Sequence, residues 1–137
     1  MNKSLIKFLT VGLLIIFVYA CQRDLRFPQF PAAGSLQEDG NGACLPKLIA
    51  GTYIKGKDLA DTNYIEVTVH VTDAGSYTIT SDTINEYSFR ASGNFADTGL
   101  QVVRLIGTGK PAKQGNDRFN IRFNNSNCLF VVNVLDN

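Results

Sequence analysis

The sequence predicts an all-β domain, seven short antiparallel strands packed as a two-layer sandwich, behind an N-terminal leader and a linker. Three observations predict it. From Cys44 onward apolar residues recur at every second position. Clusters of Gly, Asn, Asp and Pro punctuate that alternation at short intervals. No stretch after residue 40 carries an apolar stripe at helical spacing. With 137 residues, 45% hydrophobic and 18% charged, the chain has room for one core of ordinary size.

The leader comes first. Lys3 and Lys7 make a cationic start, Phe8 to Ala20 is apolar except at Thr10, Gly12 and Tyr19, and Ala20 is a small residue at its end. These are the parts of a secretory signal peptide, helical over residues 1–20. The run is shorter than the roughly 20 apolar residues of a membrane span, and an uncleaved anchor is the alternative reading. Residues 21–43 read as a flexible linker, stiffened by Pro28 and Pro31 and loosened by Gly34, Gly40 and Gly42. Within it Phe27 and Phe30 stand beside Arg23 and Arg26, placed to rest at a lipid headgroup layer or to cover a patch of the domain.

The domain, residues 44–137, opens with "KLIAGTY". In "YIEVTVHVT", Ile65, Val67, Val69 and Val71 share one face and Glu66, Thr68, His70 and Thr72 the other. "GSYTITS" repeats the pattern with Tyr77 and Ile79, and "YSFRAS" with Tyr87, Phe89 and Ala91. "QVVRLIG" offers Val103 and Leu105 on one face, Val102 and Ile106 on the other. "RFNIRFN" aligns Phe119, Ile121 and Phe123, and "CLFVVNVL" aligns Cys128, Phe130, Val132 and Val134. Seven such strands in about a hundred residues suggest an immunoglobulin-like sandwich, without the tryptophan that pins antibody domains, since the chain contains none.

Val18-Tyr19-Ala20-Cys21 resembles the lipobox of bacterial lipoproteins. The resemblance implies that the signal is cut before Cys21, that Cys21 takes a diacylglyceryl group on sulfur, and that the new N-terminus is acylated. It implies a protein of the bacterial cell envelope, lipid-anchored at the outer membrane and facing periplasm or exterior. Two or more acyl chains suffice for stable anchoring. In an exported chain the remaining cysteines, Cys44 and Cys128, are expected to form a disulfide. Zinc is the alternative, but only His70 joins them and no C-x-x-C spacing exists.

The order "GTYIKG", "VTVHVTDAGSYTI", "GTGKP" and "CLFVVNV" is similar to an immunoglobulin-like repeat of bacterial surface and secreted proteins. The likeness spans Cys44 to Leu135, with matches at Gly51, Tyr53, Gly75, Tyr77, Phe89, Phe95, Gly107 and Gly109 among others. It departs at Glu86, where the repeat usually has Gly, so a different or strained turn is expected before Tyr87. The repeat supplies no catalytic residues. What it implies is a non-enzymatic structural or interaction module; a glycan-binding accessory module is the alternative, for which Tyr64 is the available aromatic.

Chemistry is otherwise sparse. A formal net charge of +1 lacks the basic footprint of nucleic-acid binding. His70, the single histidine, falls on a polar strand face without an identifiable catalytic partner. "GTGKP" is not a phosphate loop, because Arg104 stands where the motif needs Gly and Pro111 where it needs a helix. Asp58, Asp61 and Asp73 lack the spacing of a calcium loop. No cofactor is expected. Arg90, Arg104, Arg118 and Arg122 take outward positions on three strands, a candidate face for an acidic polymer or envelope partner, or a solvated face balanced by Glu66, Asp82 and Asp117.

Overall fold

The computed structural model describes residues 30–137. These are all β, and none forms a helix long and apolar enough to cross a membrane. The strands are β1 Ala33–Leu36, β2 Leu48–Ala50, β3 Tyr53–Ile54, β4 Tyr64–Asp73, β5 Gly75–Ser81, β6 Tyr87–Phe95, β7 Gly99–Gly109, β8 Gly115–Phe123 and β9 Ser126–Leu135. The expected period-two stretches become β4 to β9, because alternating apolar residues give each strand one face to bury.

Two features correct the seven-stranded antiparallel sandwich. The strands join one curled sheet in the order β1-β4-β7-β6-β5-β8-β9-β3, with β2 also on β4. That sheet is mixed, since β3 runs parallel to β9 while the other strand pairs are antiparallel. "KLIAGTY" splits into β2 and β3 at Gly51, whose φ of 81° is a left-handed conformation that ends the ladder. A ninth strand comes from the stretch read as linker: residues 33–36 form β1 on β4, with Ser35 opposite His70 and Leu36 opposite Val69. The ordered domain therefore includes residues 30–43.

Every strand except β2 turns an apolar face to one interior. Ile65, Val67, Val69, Leu105, Phe119, Ile121 and Val132 are fully buried, each contributing about 1.5–3 kcal/mol relative to exposure. Rings fill the middle: Phe119 meets Tyr87 at 4.9 Å and Phe89 at 5.2 Å, both edge to face. Asn63, the single buried polar residue among the described residues, is satisfied on both sides. It accepts from Ala60 N at 3.0 Å and donates to Thr52 O at 3.0 Å, while its backbone C=O accepts from Gly107 N.

Residues 37–45 close the curl on one side. Gln37 N donates to Thr68 O and Thr68 N to Leu45 O on β4; Cys44 N donates to Leu129 O and Leu129 N to Gly42 O on β9. Cys44 and Cys128 are joined by a disulfide at the same place, with Cα atoms 4.9 Å apart. At one end of the sheet the chain enters by Phe30, whose C=O accepts from Ser76 N at 2.9 Å. A Cβ on Gly75 would lie 2.1 Å from that oxygen, so the entry contact requires glycine there.

Candidate functional site

The lipid-attachment reading of Cys21, and the headgroup reading of Phe27, lie outside the described residues. Phe30 lies within them and is 67% exposed, so it covers little of the domain. The other two cysteines are taken by the disulfide, each fully buried.

The sheet order decides what the arginines can do together. Arg90 on β6 lies opposite Thr80 on β5, and Thr80 lies opposite Arg122 on β8. These three form one outward row, with the two arginines about 10 Å apart at two strand spacings. Thr78 and Ser92 pair hydroxyls at 3.2 Å next to that row. Arg104 is drawn away: its guanidinium lies 3.8 Å over the Tyr64 ring and 3.4 Å from Glu66. Arg118 stands opposite Val131 near the other end of β8, and lines a cleft. The four arginines are thus a pair on either side of β5, a neutralised cation and a cleft residue. Among the described residues no carboxylate lies within ion-pair distance of Arg90, Arg118 or Arg122.

The guanidinium over Tyr64 occupies the ring face that a sugar would stack on. The expected counter-charges also redistribute. Glu66 does balance Arg104, whereas Asp82 accepts from Asn120 N at 2.9 Å and Asp117 turns to the inner parity beside Phe119. There Asp117 accepts from Tyr87 OH at 2.9 Å and from Asn85 Nδ2 at 2.8 Å. Asn85 in turn accepts from the backbone N–H of Ala112 and Lys113, tying the loop before β8 to the turn before β6. Desolvation pushes the Tyr87 hydroxyl up, and its bond to Asp117 adds to the shift.

His70 is exposed between Ser35 and Leu100. Asp58 pairs with Lys110 at 3.5 Å, and Asp73 lies opposite Ala33 at the entry end. No three His, Cys, Asp or Glu side chains gather among the described residues in a way that would hold a metal ion.

The cleft was not foreseen from sequence. It measures about 310 Å³ and lies between β2 and β9 beside the disulfide, lined by Ile49, Leu129 and Val131 with Arg118, Lys47 and Asn41 at its rim. The available signal was the run "LPKLIA", whose Leu45, Leu48 and Ile49 all remain exposed. The chain matches no protein-family model, no curated protein and no solved structure.

Proposed function

We propose that this chain is a bacterial lipoprotein, anchored through acylated Cys21, that presents one rigid β-module at the cell envelope as an interaction unit without enzymatic activity. The observation that carries the reading is the pairing of Cys44 with Cys128, which leaves Cys21 as the cysteine outside the bond, inside the lipobox-like Val18-Tyr19-Ala20-Cys21. A disulfide suits an oxidising compartment outside the cytoplasm. Phe30 follows Cys21 by nine residue steps, so the module would stand at most about 32 Å from the bilayer at ~3.5 Å per residue.

The interaction part is supported by how the domain spends its acidic groups. Asp117, Asp82, Asp39 and Glu66 all hold tyrosine, backbone N–H, lysine or arginine partners. The likeness to an immunoglobulin-like repeat agrees with a scaffold role, its matched aromatics falling in or against the core. Intact mass of the chain isolated from a bacterial membrane tests the anchor. The expected species begins at Cys21 and carries three acyl chains; a chain beginning at Met1, or a free Cys21 thiol, overturns it. Turnover of glycoside, ester or peptide substrates by the purified protein would overturn the non-enzymatic half.

A further inference from the structure

Residues 38–42, "EDGNG", hold the one Asp-Gly step and the one Asn-Gly step of the chain side by side. Both steps invite the same reaction, in which the glycine's backbone nitrogen attacks the side-chain carbonyl carbon before it, and glycine has no Cβ to hinder the five-membered ring. The structure treats the two steps differently. Asp39 is held from three directions, its carboxylate accepting from Asn41 N at 2.8 Å, from Ala43 N at 3.0 Å and from Lys47 Nζ. A bonded, ionised carboxylate is a poor target for a nucleophile, so the Asp39-Gly40 step is protected. Asn41 is exposed, and among the described residues only its backbone N–H is bonded while its side-chain amide has no partner. A Cβ on Gly42 would meet nothing closer than Glu38 Oε2 at 3.7 Å, so the space around the ring is open. One bond stands in the way, from Gly42 N to Asp39 O at 3.0 Å, and it closes a single surface turn of the kind that opens locally.

We infer that Asn41 is a self-modifying site: it converts without an enzyme to isoaspartate, and the conversion releases Gly42 from Leu129 on β9. The Gly42 nitrogen gives its proton to water and bonds to Asn41 Cγ, while the Cγ–Nδ2 bond breaks and the amide leaves as ammonia. Water then opens the imide. Opening at Cγ gives aspartate, and opening at the main-chain carbonyl leaves Gly42 joined through Cγ, which is isoaspartate. Nothing is oxidised or reduced. The isoaspartyl backbone is longer by one carbon, a C–C bond of about 1.5 Å, at the residue before Gly42. Gly42 O accepts from Leu129 N at 2.9 Å, and a displacement of that size exceeds what a hydrogen bond tolerates. Gln37 and Leu45 stay bonded to Thr68, and the disulfide still holds Cys44, so the loss is confined to the β9 side. The new carboxylate stands on the cleft rim with Lys47 and Arg118. The inference is independent of both the anchor and the interaction-module reading.

The test is prolonged incubation of the full chain, in detergent and with its disulfide intact, in mildly alkaline buffer. The tryptic peptide Phe27–Lys47 is then reduced, alkylated and sequenced by electron-transfer fragmentation, which tells isoaspartate from aspartate. The expected product carries an acid at position 41, chiefly as isoaspartate, while Asp39 stays in normal linkage and asparagines elsewhere keep their amides. The converted chain, separated by its added negative charge, should lose hydrogen-exchange protection at the Leu129 amide and keep it at Thr68. Asn41→Gln would need a six-membered ring and should stay unconverted. Freshly purified Asn41→Asp adds the charge without lengthening the backbone and should keep Leu129 protected. Conversion at Asn41 no faster than at other asparagines, or isoaspartate appearing first at Asp39, would overturn the inference. So would Leu129 protection unchanged by conversion, or lost equally in Asn41→Asp.

Discussion

Tyr53 and Tyr87 are buried neighbours, their rings 6.1 Å apart, with opposite hydrogen-bond states. The Tyr87 hydroxyl donates to Asp117, whereas the Tyr53 hydroxyl is buried without a partner among the described residues. An unsatisfied buried hydroxyl costs its desolvation, so Tyr53→Phe should leave stability unchanged or raise it by up to about 1 kcal/mol. Tyr87→Phe should lower it by about 1.5 kcal/mol, since a bond to a carboxylate is lost. Urea midpoints of the two variants check this, and equal losses would sink it. Glu86 gives a second contrast. Asn85 and Glu86 both have positive φ, 51° and 69°, between Ile84 and Tyr87, which bond each other's backbone. That is the geometry of a two-residue primed turn, whose second position favours Gly. Asn85 fits because its side chain also holds residues 112 and 113; Glu86 bears a left-handed cost of about 1–2 kcal/mol with no such return. Glu86→Gly relieves it at an entropic cost of about 0.5–1 kcal/mol, for a net gain of roughly 0.5 kcal/mol. Thermal unfolding should move up by a few degrees, and a lower midpoint would mean that Glu86 makes a contact worth more than its strain.

Among the elements, the 37–45 segment matters most to the shape, because it bonds β4 on one side and β9 on the other. The disulfide fixes its end across a sequence separation of 84. Replacing Cys44 and Cys128 by Ser should cost about 3–5 kcal/mol from regained chain entropy, read as a lower guanidinium midpoint. Hydrogen exchange should rise first at the Leu129 and Thr68 amides, and uniform loss of protection would show that the segment is not an independent closure. Its sequence, rich in Gly and polar residues, looked like linker for a physical reason. Just before it, "AAGSL" has no alternation, and β1 exists because the far edge of β4 needs partners, a fact located more than thirty residues downstream. The strands from Tyr64 onward were legible because each alternates over its own length, and local pattern fixes which face is buried. Pattern does not fix neighbours. Arg90 and Arg122 point outward as expected, yet β5 lies between their strands, and Arg118 ends in a cleft made by two segments far apart in sequence. Asp117 shares the parity of Phe119 in the sequence; what local pattern does not show is the Tyr87 hydroxyl, 30 residues away, that takes up its carboxylate.

Over the whole molecule, three shifted groups, Asp39, Tyr53 and Tyr87, make stability depend on pH. Asp39 accepts from Lys47 and from the backbone N–H of Ala43 and Asn41, which holds its carboxyl at about 2, below its usual 3.8. A depressed acid contributes stability that is present above its unfolded pKa and is lost as pH falls through its folded one. The acid limb should therefore lie between about pH 4 and pH 2 and flatten in Asp39→Asn. Because Asp39 sits in the closing segment, the loss should be shared by the whole curl rather than by one loop. The alkaline limb has the opposite sign. Burial raises the Tyr53 hydroxyl and, with Asp117, the Tyr87 hydroxyl well above their ordinary value of 10.0. Above pH 10 the unfolded chain gives up these protons while the native state keeps them, so the unfolded state binds fewer protons and stability falls with pH. Denaturant midpoints should be level between about pH 5 and pH 9, then decline. In a Tyr53→Phe, Tyr87→Phe double variant the decline should be shallower, although the molecule starts from a lower plateau. A limb equally steep in the double variant would assign alkaline unfolding to groups other than these two core phenols.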